Sequence, residues 1–470
     1  MSDHYKLLIN GQWVEGASEP FVVKNPATFE TVATCANATP EQLDQAVSAA
    51  QDAQLGWQHT SHEERKRLLH CIADEIAQKR DEIAALIVAE QGKPLPLAIG
   101  EVEGGVAWAH FAADQDIPVE VLEESAEKRI EAHRKPLGVV ASITPWNWPF
   151  MIAVWHLFPA LRAGNTVISK PSGLTPLSTI KLVEIMNNHL PNGVANILTG
   201  ERGIGSGLTS HPNIQKVVFT GSTPTGQAVM RNAAANLKRL TLELGGNDAG
   251  IVLPGADVEK MAPAIFGAAF LNMGQTCGAL KRLYVHESLY DQMCAALVAI
   301  AGQQVVGNGM DEGVTFGPVQ NEDQLNLVAE LVENARAGGA RVLTGGEPVA
   351  GVGYFYPPTI VADISNDARL VQEEQFGPVL PVIKYSDVDE AVAMANGVEV
   401  GLDGSVWGPD TEAAAAIASR LECGTTFVNT HAQIQPNIPM GGCKMSGFGV
   451  EFGLEGLLEF TSLQVLHVQK

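Results

Sequence analysis

Alternation of short β-rich runs with helical segments, beginning near Gly138, constrains this chain more than any other feature. Residues 138–144 read as a strand, followed by a helix from Pro149; residues 165–170 form a second strand, and 176–189 a helix with proline at its start. Short β-rich runs at 195–198, 216–220 and 239–243 continue the pattern. A second set follows, with strands at 249–253, 282–286, 379–385, 405–407 and 425–429 and helices at 258–271, 325–337 and 388–396. Units of this length predict parallel, doubly wound sheets, and two α/β domains in succession place a cleft between them. Ahead of them lie a hairpin region (5–14 and 21–24) and a long charged helix, 63–87. At 470 residues the chain exceeds what one hydrophobic core serves, which also argues for two or three domains.

Residues 137–161 contain no Asp, Glu, Lys or Arg, a length that could span a bilayer. Pro145, Pro149 and Pro159, with Asn147 and His156, break it into a buried strand, a turn and a buried helix instead. Thirty basic against fifty-three acidic residues give a net charge of -23, which repels phosphate backbones and anionic lipid, so neither nucleic acid nor a membrane is expected as a partner. The six cysteines are scattered without a C-x-x-C pair; this opposes a disulfide framework or a metal site and suits free thiols in the cytoplasm. The start has no apolar run of the kind that marks a signal peptide.

Four clusters stand out: Thr144-Pro-Trp-Asn147-Trp-Pro, Leu242-Glu243-Leu-Gly-Gly246, Gly274-Gln-Thr-Cys277 and Glu374-Gln-Phe376-Gly-Pro. In this order and spacing, from Asn25-Pro-Ala to Pro439-Met-Gly-Gly-Cys-Lys-Met-Ser-Gly447, the chain closely resembles the aldehyde dehydrogenase superfamily, its NAD(P)-dependent, hydrolytic, non-CoA-acylating branch. The resemblance implies two Rossmann-like domains plus a small β oligomerisation flap. A dinucleotide-binding domain is expected at 1–113 and 137–245, a catalytic domain at 246–445, and oligomerisation segments at 114–136 and 446–470.

Cys277 lies in a turn of small residues after an apolar helix. A free cysteine is commonly a buried core residue, but such a turn at a cleft gives a thiolate access. The resemblance makes Cys277 the nucleophile that forms a thioester. It also makes the Asn147 amide, with the Cys277 N–H, the oxyanion hole. Glu243 ends an apolar strand ahead of Gly245 and Gly246. Burial there would raise its pKa toward useful general-base values, and the match makes it the base that activates the hydrolytic water. Relatives that pass the acyl group to coenzyme A lack this glutamate.

There is no G-x-G-x-x-G, and Gly221-Ser-Thr-Pro-Thr-Gly226 mimics a P-loop but has Gln227 where the lysine belongs. The family binds NAD, or NADP, on a variant sheet. By match, Lys170 reaches the adenosine ribose, Gly205 permits adenine packing, and Gly221 and Ser222 lie near the pyrophosphate at a helix N-terminus. By the same match, Glu374 and Phe376 hold the nicotinamide ribose and ring, and Trp146 also binds the cofactor. Lys170-Pro-Ser-Gly173 carries glycine where strictly NAD-preferring relatives have glutamate, which lowers the barrier to NADP.

Trp148, Trp155, Met273, His431, Ile434 and Met440 are expected at the substrate entrance. Leu271 occupies the place where succinate semialdehyde dehydrogenases have arginine, so an uncharged aliphatic or aromatic aldehyde is expected. A semialdehyde-specific enzyme is the alternative. An inactive structural homologue would be expected to lose Cys277, Glu243 or Asn147, and all three stand. The alternating tail 463–469 and the segment 120–133 match the family's flap and imply a homodimer or homotetramer.

Overall fold

A computed structural model describes residues 3–470 as an α/β protein built on two large, mainly parallel sheets. The first has five parallel strands, Val139–Ile143, Thr166–Lys170, Ala195–Ile197, Lys216–Thr220 and Arg239–Glu243. Named by their first residues, they lie in the order 239, 216, 139, 166, 195. Four of them, starting at 139, 166, 195 and 216, are buried at every position, because helices cover both faces. The strand order reverses between Val139–Ile143 and Lys216–Thr220. Loops leaving the carboxyl ends of those neighbours diverge, and the crevice between them is where a doubly wound sheet binds ligands.

The second sheet places Asp248–Val252 between Leu280–His286 and Asp403–Trp407, with Thr359–Ala362, Val379–Tyr385 and Thr425–Val428 further out, all parallel. A three-stranded antiparallel flap joins Glu120–Glu124, Lys128–Pro136 and Thr461–Gln469. The last 25 residues do not all belong to that flap, however. Gly447–Phe448 pairs with Arg239–Glu243 in the first sheet, and the helix Gly453–Leu458 packs on the helix Pro149–Arg162.

The helix expected over 63–87 is two helices, His62–Gln78 and Arg80–Gln91. The first closes on Lys79, whose N–H reaches the Glu75 and Ile76 carbonyls. The second starts with Asp81 and Glu82 in its first turn, where acids favour a helix N-terminus. Both halves bury Leu or Ile at helical spacing (Leu69, Ile72, Ile76; then Ile83, Ile87), so the apolar period runs through the break and hides it. The charge-free stretch is the strand Val139–Ile143, a turn, and the helix Pro149–Arg162. Among the described residues no helix is long and apolar enough to cross a membrane, and no cluster of His, Cys, Asp or Glu is arranged to hold a metal ion.

Candidate active site

Residues 244–247 are all that separates Glu243, at the end of a first-sheet strand, from Asp248, at the start of the second sheet's central strand. The carboxyl edge of one sheet therefore meets the amino edge of the other, and the nucleophile turn sits at the join. That turn follows the helix Val258–Phe270 and carries three successive left-handed residues, Asn272, Met273 and Gly274, with φ of 52°, 56° and 73°. Two of them have side chains, so the surroundings must hold the strain. Asn272 Nδ2 donates to the Asn147 carbonyl (2.9 Å), and Gln275 Oε1 accepts the Gln320 N–H (2.9 Å). A Cβ at Gly274 would collide with the Gly377 carbonyl, so glycine is required there.

Cys277 comes out half-buried, lining a cavity of about 270 Å³ with Trp146, Asn147, Gly221, Ser222, Glu374 and Phe376. Seven residues expected in separate roles thus share one space. Burial, and then the carboxyls of Asp403, Asp248, Glu243 and Glu374, push the Cys277 thiol above its ordinary range. The resting group is the thiol, and ionising it requires compensation from something bound.

Asn147 is held on both sides. Its side-chain Nδ2 donates to the Gln275 carbonyl (2.9 Å), across the nucleophile turn, and its carbonyl accepts from Lys93 Nζ (2.9 Å). Lys93 in turn pairs with Glu101 (2.6 Å) and lies 3.6 Å over the Trp148 ring. The other Glu101 oxygen accepts the N–H groups of Phe150 (3.0 Å) and Met151 (3.2 Å), capping a helix whose own N-cap, Trp148, cannot. Sequence reasoning missed Lys93 and Glu101; the available signal was two charged residues flanking an apolar run.

Glu243 is buried, with Oε1 lacking a protein partner. Burial first, then Glu451 and Asp403, hold its pKa well above the usual carboxylate range. Nearby, His156 was read only as a helix breaker. Its Nδ1 lies 3.0 Å from Ser142 Oγ, and its Nε2 lies 3.0 Å from Thr220 Oγ1 and 3.1 Å from Glu451 Oε1.

From this cavity a groove of about 970 Å³ runs over the sheet's switch point, lined by Lys170, Ser172, Gly173, Gly203, Gly221 and Ser222 among others. Ser222 is the N-cap of the helix Thr223–Ala233, so its free N–H groups favour an anion there. Lys170 is buried and desolvation lowers it to about 8. Glu374 accepts the Gly246 N–H (3.2 Å), and burial raises it to about 8. Phe376, at φ 45°, stands edge-on to Trp146 (5.4 Å). A helix N-terminus, a lysine and a carboxyl along one groove suit a dinucleotide. A Cβ on Gly205 would lie 3.7 Å from the Lys170 stem, and Gly203, one position past the helix start at Arg202, lines the groove.

The entrance residues separate. Trp148 donates its indole N–H to Thr276 Oγ1 (3.0 Å), beside the nucleophile. Ile434 is part-exposed in the loop after Thr425–Val428, and Met440 is bridged through its backbone to Glu451. Three others do not line the cavity that holds Cys277. Met273 is buried in an apolar cluster with Phe270. Trp155 packs with Trp108 and Phe452 (centroids 5.9 and 4.8 Å) around a separate small cavity that Cys277 does not line. His431 is fully buried on Ser405 (2.9 Å) and Asp248. Each has the apolar or aromatic character of an entrance residue, which packing used for the core.

Residues 13–466 match the aldehyde dehydrogenase family. The phenylacetaldehyde dehydrogenase of Pseudomonas fluorescens is 38% identical, over 98% of this chain and 95% of its own. Among solved structures, the NAD+ complex of a Bacillus cereus aldehyde dehydrogenase superposes with a TM-score of 0.97 at 33% identity, covering 99% of this chain and 97% of that one. An NADP-dependent enzyme of E. coli gives the same TM-score and identity over 100% and 98%. The floor of the cleft, where one sheet hands the chain to the other, is therefore that of an oxidoreductase working on aldehydes, and this chain belongs to the aldehyde dehydrogenase family.

Proposed function

We propose that the protein oxidises an uncharged aliphatic or aromatic aldehyde to the free carboxylic acid through a thioester on Cys277, using NAD and tolerating NADP. The observation that carries this reading is the single cavity shared by Asn147, Cys277, Ser222, Glu374 and Phe376. The Cys277 thiol loses its proton to solvent as its sulfur adds to the aldehyde carbon, and the carbonyl oxygen becomes an oxyanion. The Asn147 amide, fixed by Gln275 and Lys93, is placed to donate to that oxygen. A nicotinamide cofactor, when bound, would supply the acceptor for a hydride from that carbon. Glu243 then takes a proton from water as the water's oxygen attacks the thioester; the acid departs and the sulfur is regenerated. Lys170, Ser222, Glu374 and Phe376 would hold the cofactor.

The groove has glycine rather than a carboxylate at position 173, and Glu201 and Arg202, of opposite charge, both line it. Leu271 brings no positive charge to the nucleophile turn. One experiment tests both readings: kcat/KM for straight-chain aldehydes of increasing length, phenylacetaldehyde and succinate semialdehyde, each with both dinucleotides. Every added methylene is expected to improve kcat/KM by up to about 0.8 kcal/mol until the tunnel is full. Succinate semialdehyde outrunning the best neutral aldehyde would overturn the substrate class. A preference for NAD beyond about a thousandfold, ~4 kcal/mol, would overturn the tolerance of NADP.

We further infer a homodimer or homotetramer built through the flap. Its edge strand Thr461–Gln469 exposes Leu463, Val465, Leu466 and Val468, and the opposite edge exposes Val121 and Leu122. Sedimentation of the full chain is expected to show no monomer at micromolar concentration; a monomer there contradicts this.

A further inference from the structure

Behind the nucleophile turn lie three fully buried polar side chains that the reaction above does not use: Asp248, Asp403 and His431. The two aspartates open adjacent parallel strands, and the Asp403 N–H donates to Asp248 Oδ1 (3.1 Å). Both carboxyls point at the residue after the nucleophile. A Cβ on Gly278 would lie 2.6 Å from Asp403 Oδ2 and 3.9 Å from Asp248 Oδ2, while one on Gly246 would meet the Cys277 carbonyl at 2.5 Å and Asp248 Oδ1 at 2.8 Å. The carboxyls fill the space those glycines leave.

The buried cations Arg282 and Lys281 favour the Asp248 anion, and the Asp248 carboxylate in turn raises Asp403. Ser405 Oγ accepts the Trp407 indole N–H (2.9 Å) and lies 2.9 Å from His431 Nδ1. His431 Nε2 lies 3.7 Å from Asp248 Oδ2, and burial lowers this imidazole to about 4, so it is neutral. Arg282 donates to the Asn247 and Ala395 carbonyls and to the Tyr284 hydroxyl rather than to a carboxylate; Lys281 donates to the Gly377 carbonyl, and burial lowers it to about 7. The remaining ionisable neighbours are acids or thiols, Glu243, Glu374 and Cys423, with Lys444 held outside by Glu422. Neither Asp403 oxygen nor Asp248 Oδ2 has a hydrogen-bond partner, although the Thr425 hydroxyl is near enough to favour the Asp403 anion. Two buried carboxylates in such surroundings cannot both be ionised at neutral pH.

We propose that Asp403 and Asp248 share one proton beneath the nucleophile turn, and that this proton keeps a second negative charge away from the Cys277 sulfur while the shared carboxyl shapes the turn at Gly278. Both are positioning residues, and the proposal rests on Cys277 being the nucleophile. Burial, with Asp248 alongside, raises Asp403 to about 8, which sets where the shared proton leaves. Below that pH the pair carries one charge; above it a second appears beside the thiol and opposes its ionisation.

The test is the rate of Cys277 alkylation by iodoacetamide in the full chain, followed against pH and mapped to the Cys277 peptide. In Asp403→Asn the pair keeps its shape but never acquires the second charge. The variant is expected to match the parent near pH ~6.5 and to alkylate about threefold or more faster near pH ~9.5. Asp248→Asn, whose amide oxygen can still accept the Asp403 N–H, should give the same divergence if Asp403→Asn does not fold. A variant-to-parent ratio that is constant across pH overturns the proposal, because a purely structural role moves all points alike. Full activity of Cys277→Ala would overturn the nucleophile reading instead, leaving the alkylation ratio to be read separately.

Discussion

Cys277→Ala is expected to lose aldehyde oxidation while keeping its fold and its affinity for the dinucleotide. The strain of the turn resides in Asn272, Met273 and Gly274, and its anchors are Asn272 and Gln275, none of which depends on the thiol. Replacing a half-buried S–H with hydrogen therefore removes little packing. It removes the only atom able to bond the aldehyde carbon, since a methyl cannot form the adduct from which hydride departs. Turnover above a few percent of the parent, measured as cofactor reduction, would sink the thioester mechanism. Cofactor binding measured by fluorescence quenching controls for the fold: Trp146 borders the groove and would report on it in both proteins.

The second large effect is at Glu243. Because acylation precedes the step that needs an activated water, Glu243→Gln is expected to give one burst of reduced cofactor per site, then turnover slowed by about 10²-fold or more. In the parent, the base must be ionised. Its pKa is raised by burial and by Glu451 and Asp403, so deacylation is expected to fall as pH drops through a value well above the ordinary carboxylate range. Loss of the burst would mean that Glu243 acts before the thioester forms. Acceleration of the parent by coenzyme A, with a CoA thioester accumulating, would mean that the acyl acceptor is not water.

The parallel sheets were legible because their strands are continuous apolar runs closed by Gly, Pro or polar residues, and such runs must be covered on both faces whatever surrounds them. Val379–Tyr385 and Val388–Asn396 have the bounds that their periodicity predicts. The break at Lys79 was illegible for the opposite reason: the buried positions keep their helical spacing across it, and only packing decides that the axis changes. The capping box of Thr39 and Gln42, which starts the helix Pro40–Trp57, was a local signal available in the sequence and unused.

At the site, residue type and order along the chain determined on their own which cysteine, glutamate and asparagine to examine, because these stand in short segments of glycine and proline that only a close backbone approach requires. Tertiary structure alone decided their surroundings. Asp248 and Asp403 are 155 residues apart, and nothing local marks them as a buried pair; parallel strand pairing puts them side by side under Gly278. Met273, Trp155 and His431 have the composition of an entrance, yet their side chains were claimed by the core, by an aromatic cluster and by Ser405. Side-chain chemistry is a property of the sequence, but the direction in which a side chain points, and the charge it meets there, depend on contacts between distant segments.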